Sequence, residues 1–233
     1  GSKLNSQAIE DYLKAIYKLQ VRDSTVLTSV LASYLQVSPP AATGMVKKLS
    51  ASNLVRHHPY QGVELTDHGE KIALEVIRHH RLVELYLSEA LGVPWDKVHD
   101  EAEKWEHILS EDLEDRIDEF LGYPTSDPHG APIPDRNGTI SDRDVCTLSK
   151  LSVGDKAVII EVCDEDAEML RYLGKLNLYP QTEVQVASVS PFDELMAICI
   201  DLDNDIFSEL VLGQKITTRI LVSLLPLDER PTA

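Results

Sequence analysis

The run Gln36-Val37-Ser38-Pro39-Pro40-Ala41-Ala42-Thr43-Gly44-Met45-Val46-Lys47-Lys48-Leu49 decides the fold of the first third of the chain. Ser38 is a good helix N-cap, and Pro39 and Pro40 suit a first helical turn, where a missing N–H costs no intrahelical bond. From Ala41 to Ser52 the spacing of Met45, Val46 and Leu49 predicts a helix with one inward face, leaving Thr43, Gly44 and Lys47 outside. Upstream, Thr25 to Val37 reads as a short helix broken at Val37-Ser38. Before it, Ile9, Tyr12, Leu13, Ile16, Tyr17 and Leu19 make an amphipathic helix of residues 6–19, with Asp11 beside the apolar stripe. Downstream, Asn53 to His58, a turn at Pro59-Tyr60-Gln61-Gly62 and Val63-Glu64-Leu65 predict a β-hairpin. Two short helices with a tight break, followed by a hairpin, make a winged helix-turn-helix, whose second short helix enters the major groove of duplex DNA.

Charge distribution agrees. The net charge of −17 would ordinarily argue against a nucleic-acid partner. Residues 1–75, however, hold eight Lys and Arg against seven Asp and Glu, so the acidity lies beyond them. No acid occurs from Ser24 to Val63, a window that contains Lys47, Lys48, Arg56, His57 and His58. A surface that faces phosphate requires such a window, and a chance gap in a neutral region is the lesser alternative.

Residues 67–89 predict a long helix capped by Thr66, and residues 95–121 a second, ended by Gly122-Tyr123-Pro124. On one continuous helix His99, Glu103, Glu106 and His107 share a face. Carboxylates and imidazoles converging there would repel or shift protonation unless a cation sat among them; a solvated acidic face is the alternative. Leu82, Leu85, Leu87, Leu91, Trp105, Ile108, Leu109, Leu113 and Ile117 give the two helices a generous apolar surface. The Pro-, Gly-, Asp- and Ser-rich stretch 123–143 reads as a linker. From Cys146 to Leu225 the pattern changes to short β runs at 157–162, 183–190, 195–201, 208–212 and 218–224. One helix at 168–176 interrupts them, which suggests a small barrel.

The 233 residues suffice for one large domain or two small ones. Cys146, Cys163 and Cys199 are odd in number and form no CxxC pair, which favours a reducing cytoplasm over disulfides or a zinc knuckle. No apolar run reaches membrane-spanning length and no signal peptide precedes the first helix; Gly1-Ser2 reads as a cloning remnant. A cytoplasmic protein with no membrane partner is expected.

The run 36–49 and the segment Pro59-Tyr60-Gln61-Gly62-Val63-Glu64-Leu65-Thr66 resemble the reader head of the diphtheria toxin repressor family of metal-dependent bacterial repressors. So do His79-His80-Arg81-Leu82-Val83-Glu84, the stretch from Lys97 to His107, and Pro128-His129-Gly130-Ala131-Pro132-Ile133-Pro134, so that the likeness covers nearly the whole chain. The fold implied is mainly α with a small β domain. Residues 1–75 would be the winged helix-turn-helix, 76–123 a helical metal-binding and dimerisation domain, 124–145 a linker, and 146–228 an SH3-like domain of the ferrous transport accessory kind.

The resemblance places Asp11, Glu103, Glu106 and His107 at the family's primary metal site. Iron-sensing members have methionine at the position of Asp11 and cysteine at that of Glu103, whereas manganese-sensing members have carboxylates, as here. Carboxylate oxygens suit Mn2+, while thiolate and thioether select softer ions. Lys14 stands where some binuclear manganese sensors have glutamate, which weakens the case for a close metal pair. His80, Glu84 and His99 are implied helical contributors to an ancillary site, and His80 could belong to the primary one. Asp127 and His129 from the linker, and Glu161 and Asp164 from the barrel, are the further ancillary candidates, ordinary strand-end acids being the alternative for Glu161 and Asp164. His79 is expected to be exposed. The surface expected to meet DNA comprises Thr28, Ser38, Pro39, Pro40, Ala41, Thr43, Gly44, Lys47, Arg56, His57 and Tyr60.

The function implied is a homodimeric transcriptional regulator that binds a double-stranded DNA operator and represses metal-uptake genes when Mn2+ is bound. Fe2+ is the alternative effector, and Co2+, Zn2+ or Cd2+ could act in vitro. No small-molecule substrate is expected. A metalloenzyme is disfavoured because no nucleophile or oxyanion motif lies near the cluster. An adaptor whose barrel binds a partner protein is the remaining class, and a gel shift with and without Mn2+ would separate it.

Overall fold

The computed structural model describes residues 2–21, 23–202 and 206–226; Gly1 and the last two residues of the expected SH3-like domain lie outside the described residues. The chain forms two compact units. One comprises residues 1–83, 102–123 and 133–140, the other residues 84–101, 124–132 and 141–233.

The first unit begins with α1 (Ser2–Gln20), α2 (Thr28–Tyr34) and α3 (Pro39–Ala51). Leu13, Ile16, Leu31, Val46, Leu49 and Val63 are buried together, each contributing about 1.5–3 kcal/mol of apolar transfer. Ser38 caps α3 as expected, accepting from Ala41 N. The second helix starts later than its sequence suggests, because Val26 exchanges two 2.8 Å backbone bonds with Val63 and joins the edge of the wing instead. The wing is β1 (Val55–His58) paired antiparallel with β2 (Gly62–Leu65). Its turn needs Gly62, which adopts φ +111°; a Cβ there would lie 2.4 Å from the Val26 carbonyl oxygen.

Thr66 Oγ1 accepts from Gly69 N and starts α4 (Asp67–Leu91). The single helix expected over 95–121 does not form. Instead α5 (Val98–Trp105) and α6 (Glu111–Phe120) are separated by non-helical residues 106–110. Ser110 accepts from Leu113 N at 3.3 Å and so caps a new helix, a local bond that competes with continuing the old one.

In the second unit β3 (Cys146–Thr147), β4 (Lys156–Val162), β5 (Glu183–Val189), β6 (Met196–Leu202), β7 (Ile206–Leu212) and β8 (Ile220–Leu224) form one antiparallel sheet in the order β3-β8-β4-β5-β6-β7. The expected closed barrel is an open sheet. β3 offers only two residues, both paired with β8, and no ladder joins it to β7 among the described residues. Closure would need a paired edge at both ends. Register shifts at Ile159/Glu161 and Val186/Ser188 mark bulges, which bend a sheet and increase its twist. α7 (Ala167–Lys175) buries Leu170 and Leu173 in the core with Ile159, Leu178 and Ile198, and α8 (Gln214–Thr217) precedes β8.

The Pro- and Gly-rich stretch after α6 is not a solvated tether. His129 O accepts from Val162 N at 2.9 Å, and Asp127, His129, Gly130 and Ala131 are buried. A Cβ on Gly130 would lie 1.8 Å from the Ile160 carbonyl oxygen. All three cysteines are free thiols. No described helix is long and apolar enough to cross a membrane.

Candidate metal centres and nucleic-acid face

Of the eleven residues expected to meet DNA, Thr28 is half-buried and the other ten are exposed. Pro40, Thr43, Gly44 and Lys47 follow the helical repeat along one side of α3, and nothing lies within 4 Å of where a Gly44 Cβ would stand. Tyr60 is fully exposed at the wing tip with φ +65°. Glu64, the acid that ends the acid-free window, is engaged by Arg56 at 3.3 Å and His58 at 3.2 Å, and these bonds hold its carboxyl below the usual range. The pair is exposed and screened by solvent, so Arg56 can exchange Glu64 for a phosphate at little cost.

A cluster in the first unit gathers side chains from four stretches. α1 supplies Asp11 and Lys14, α4 supplies His80, α5 supplies Glu103, and the turn after α5 supplies Glu106 and His107. Ligand atoms of Asp11, Glu106 and His107 lie within 4.8 Å of one another, as do those of His80, Glu103 and Glu106. The structure thus places His80 with Glu103 and Glu106. His80 Nδ1 is 2.5 Å from Glu106 Oε2 and 3.9 Å from Glu103 Oε1. His107 Nε2 faces Asp11 Oδ1 at 2.7 Å and its Nδ1 faces Glu10 Oε2 at 2.5 Å. Burial opposes a charge on this ring, but the bonds to Asp11 and Glu10 outweigh it and raise its pKa to about 9. Lys14 Nζ donates to Glu103 Oε1 at 2.8 Å and to Glu106 Oε1 at 2.7 Å.

Glu10 was absent from the candidates chosen by sequence, and Lys14 was weighed there only against a close metal pair, not as a partner of Glu103 and Glu106. Lys14 follows Asp11 by three residues and so shares its helix face, a signal that was available; Glu10 carried none. His79, expected to be exposed, is buried. Its Nδ1 lies 3.2 Å from the Glu106 carbonyl oxygen and its Nε2 lies 2.8 Å from Glu114 Oε2. Arg78 donates to Glu114 at 2.5 Å, to Asp118 at 2.7 Å and to the Pro134 carbonyl at 2.9 Å. Burial pushes the Glu114 carboxyl up, yet its bonds to His79 and Arg78 prevail and lower it to about 2. His79 and His80 point to different partners because α4 is packed on more than one side, which no single amphipathic stripe reveals.

The second unit holds another cluster, in which ligand atoms of Glu84, Asp127, His129 and Asp164 lie within 4.8 Å of one another. His99 Nδ1 is 3.3 Å from Glu84 Oε1 and 3.6 Å from Asp164 Oδ2. The single helix that would have put His99 on one face with Glu106 and His107 ends at Trp105, and His99 lies with Glu84 and Asp164. Asp127 Oδ1 accepts from the backbone N–H groups of His129 and Ala131 at 2.8 and 3.0 Å, which fixes its orientation. Glu161 stands outside this group, because Arg143 grips its Oε2 at 2.5 Å while donating to the Gly130 carbonyl at 3.1 Å.

His129 tests whether this cluster suits a cation. It is fully buried; its Nε2 donates to the Trp95 carbonyl at 2.6 Å, and the ring stacks on Trp95. Its Nδ1 has no hydrogen-bond partner and lies 3.8 Å from Glu84 Oε2, an ion-pair separation too long for a hydrogen bond. Burial opposes protonation, but Glu84 and Asp127 raise the pKa to about 9. A carbonyl holding one ring nitrogen while the other points among carboxylates is the usual arrangement of a metal-ligating histidine. Both donor sets consist of carboxylate oxygen and imidazole nitrogen, and both fit a divalent ion.

Three families match along the chain. One described as iron dependent repressor, N-terminal DNA binding domain, covers residues 5–63, and one described as iron dependent repressor, metal binding and dimerisation domain, covers residues 66–135. The FeoA domain covers residues 146–224. Iron-dependent repressor IdeR of Mycobacterium leprae (strain TN) is 31% identical over 207 residues, spanning 84% of this chain and 90% of that protein. Diphtheria toxin repressor of Corynebacterium diphtheriae is 28% identical over 200 residues, spanning 84% and 82%. A solved structure described as a manganese-dependent transcriptional repressor complex with manganese is similar at TM-score 0.87 and 35% identity, covering 93% of this chain and 100% of that chain.

Proposed function

We propose, from the premise that this chain belongs to the diphtheria toxin repressor family of iron-dependent repressors, that manganese is the ion to which it responds. At the coarser level it is a metal-dependent DNA-binding transcriptional repressor, and its relatives imply a non-enzymatic regulator. The observation that carries the manganese assignment is the chemistry of the first-unit donors. Asp11, Glu103, Glu106, His107 and His80 offer oxygen and nitrogen and no sulfur. Mn2+ lies lowest in the divalent affinity order, so a site responds to it by supplying hard donors and omitting the thiolate that would trap Zn2+ or Co2+. Iron is the second reading, favoured by the name of the mycobacterial relative.

A divalent cation supplies positive charge that several of these donors can share at once. The chain's own residues set what that achieves. Asp11 belongs to α1, which buries Leu13 and Ile16 against the helix-turn-helix, whereas Glu103, Glu106 and His107 belong to α5 and the turn after it. Donors from both sides, drawn to one charge, fix the reader head against the dimerisation segment and so favour a single spacing of two recognition helices. His107 must lose the proton from whichever nitrogen becomes a ligand, so binding releases a proton below pH 9 or so. We assign Glu84, Asp127, His129 and Asp164, with His99 beside them, to an ancillary ion, and leave Glu161 with Arg143.

The domain division we propose is 1–75 for the reader, 76–123 for metal binding and dimerisation, 124–145 for the connection and 146–228 for the SH3-like domain. Ile108, Leu113, Phe120 and Tyr123 are exposed on and around α6, and an apolar face of this kind suits a second copy of the chain. The deciding experiment titrates the purified protein with Mn2+, Fe2+, Co2+ and Zn2+ and follows binding to a selected genomic fragment by anisotropy. Activation by Mn2+ at the expected intracellular level of free ion supports the assignment. Activation by Fe2+ alone, under anaerobic conditions, would transfer it to iron.

A further inference from the structure

The turn that carries Asp127 and His129 closes on itself. Asp127 N donates to the Ala131 carbonyl and Gly130 N to the Asp127 carbonyl, both at 3.0 Å. A bulge in β4 receives it. Ile159 pairs with Val222 and Glu161 with Leu221, so Ile160 is the extra residue. The Ile160 carbonyl faces Gly130 so closely that a Cβ there would lie 1.8 Å from its oxygen. Two residues on, Val162 N donates to the His129 carbonyl at 2.9 Å. One side chain spans both parts. Arg143 Nη1 donates to the Gly130 carbonyl at 3.1 Å and its Nη2 to Glu161 Oε2 at 2.5 Å. Both side chains are largely shielded, Arg143 being 26% and Glu161 22% exposed.

We propose that Arg143 is a positioning residue for the ancillary ion, seating the turn 127–131 against β4 with Glu161 as its anchor. The guanidinium is a rigid planar fork, so holding two acceptors at once fixes their separation. Asp127 and His129 come from the turn, whereas Asp164 follows β4, which ends at Val162. The seat of the turn therefore decides whether these donors converge. Arg143 acts through them and does not touch the ion. For Glu161 to become a ligand it would have to give up a charge-assisted bond and leave a shielded guanidinium without its carboxylate. Partners that orient metal ligands in this way change metal affinity by about 10–100-fold. This role rests on the assignment of Glu84, Asp127, His129 and Asp164 to an ancillary ion made above.

The test uses the full chain carrying Trp105→Phe, which leaves Trp95, stacked on His129, as its single indole. Paramagnetic Mn2+ bound beside His129 quenches that indole, so a Mn2+ titration reads the ancillary affinity while equilibrium dialysis counts the ions. Hydrogen exchange of the ion-free protein reads the seat of the turn directly. Arg143→Met and Glu161→Met are each expected to weaken Mn2+ binding at Trp95 by about 10–100-fold. Both should speed exchange of the Val162 N–H and leave unchanged that of Ile159, which is bonded to the Thr182 carbonyl at 2.9 Å. Arg143→Lys, which keeps the charge and loses the fork, is expected to remain weak. Tighter Mn2+ binding in Arg143→Met would show that Glu161 is a ligand the arginine withholds, and would overturn the proposal. Unchanged affinity in both methionine variants would overturn it as well, as would equal acceleration at Val162 and Ile159, the mark of a generally loosened fold. Dialysis of His129→Ala tests the ancillary site separately. An ion count equal to the parent's would remove that site, whatever the Arg143 variants do.

Discussion

Glu103 presents its carboxylate to Lys14 at 2.8 Å and to His80 at 3.9 Å, in a cluster that contains no sulfur among its donors. Replacing it by cysteine introduces a thiolate into an otherwise oxygen- and nitrogen-lined place. Glu103→Cys should therefore strengthen activation by Co2+ and Zn2+ relative to Mn2+ by roughly tenfold or more, about 1.4 kcal/mol. Operator binding titrated with Mn2+ and Co2+ side by side gives the ratio of midpoints; an unchanged ratio would remove Glu103 from the ligands. Glu114 offers a test of stability. Its carboxyl is held at about 2 from an ordinary 4.5, so it stabilises the fold fully above pH 4.5 and loses that effect as pH falls toward 2. In chelator-treated protein, Glu114→Gln should cost about 3–5 kcal/mol at neutral pH, because Arg78 and His79 lose a buried partner. Its Tm should also depend less on pH below 4.5 than the wild type's. Equal slopes would show that other carboxyls govern acid unfolding.

At the scale of elements, α3 and the wing take their form for identifiable local reasons. Ser38 caps the helix, Pro39 and Pro40 occupy its first turn, and Gly62 lets the wing approach Val26. Lys47 stands exposed on the outer side of α3. Lys47→Ala should weaken binding to all DNA sequences about equally and lower the slope of log affinity against log salt by about one unit. Affinity measured across several salt concentrations, with the metal held saturating, checks this; an unaltered slope would mean that another face of the reader meets phosphate. The break between α5 and α6 matters equally. It turns Glu106 and His107 away from helical geometry, so that His107 can face Asp11 while Glu106 serves both ligand sets.

For the whole molecule, DNA reading by two recognition helices requires two chains at a fixed spacing. Leu113 and Phe120 lie seven residues apart on α6 and are both exposed, so they share a side of that helix. Placing a charge there should oppose burial against a second copy. Phe120→Glu is expected to shift the protein toward monomer in sedimentation and to reduce operator binding at least tenfold, while its metal stoichiometry in the first-unit cluster stays the same. A variant that remains dimeric at micromolar concentration would place the contact elsewhere.

Much of this architecture was legible in the chain itself. Caps, prolines and apolar spacing marked α3, and the short β runs marked most of the strands of the second unit. That Asp11, Glu106 and His107 gather in one cluster, and Glu84, Asp127 and His129 in another, matches the grouping expected through resemblance. Periodicity can say only which residues share a face of one element. It does not say which elements meet, and the pairing of His107 with Glu10 joins positions 97 residues apart. Tertiary packing therefore decided that His80 joins Glu106, that His99 joins Glu84, and that Arg143 takes Glu161. It also decided that Lys14 lies between the two glutamates, because the partners that make burial of an ammonium tolerable come from segments far along the chain.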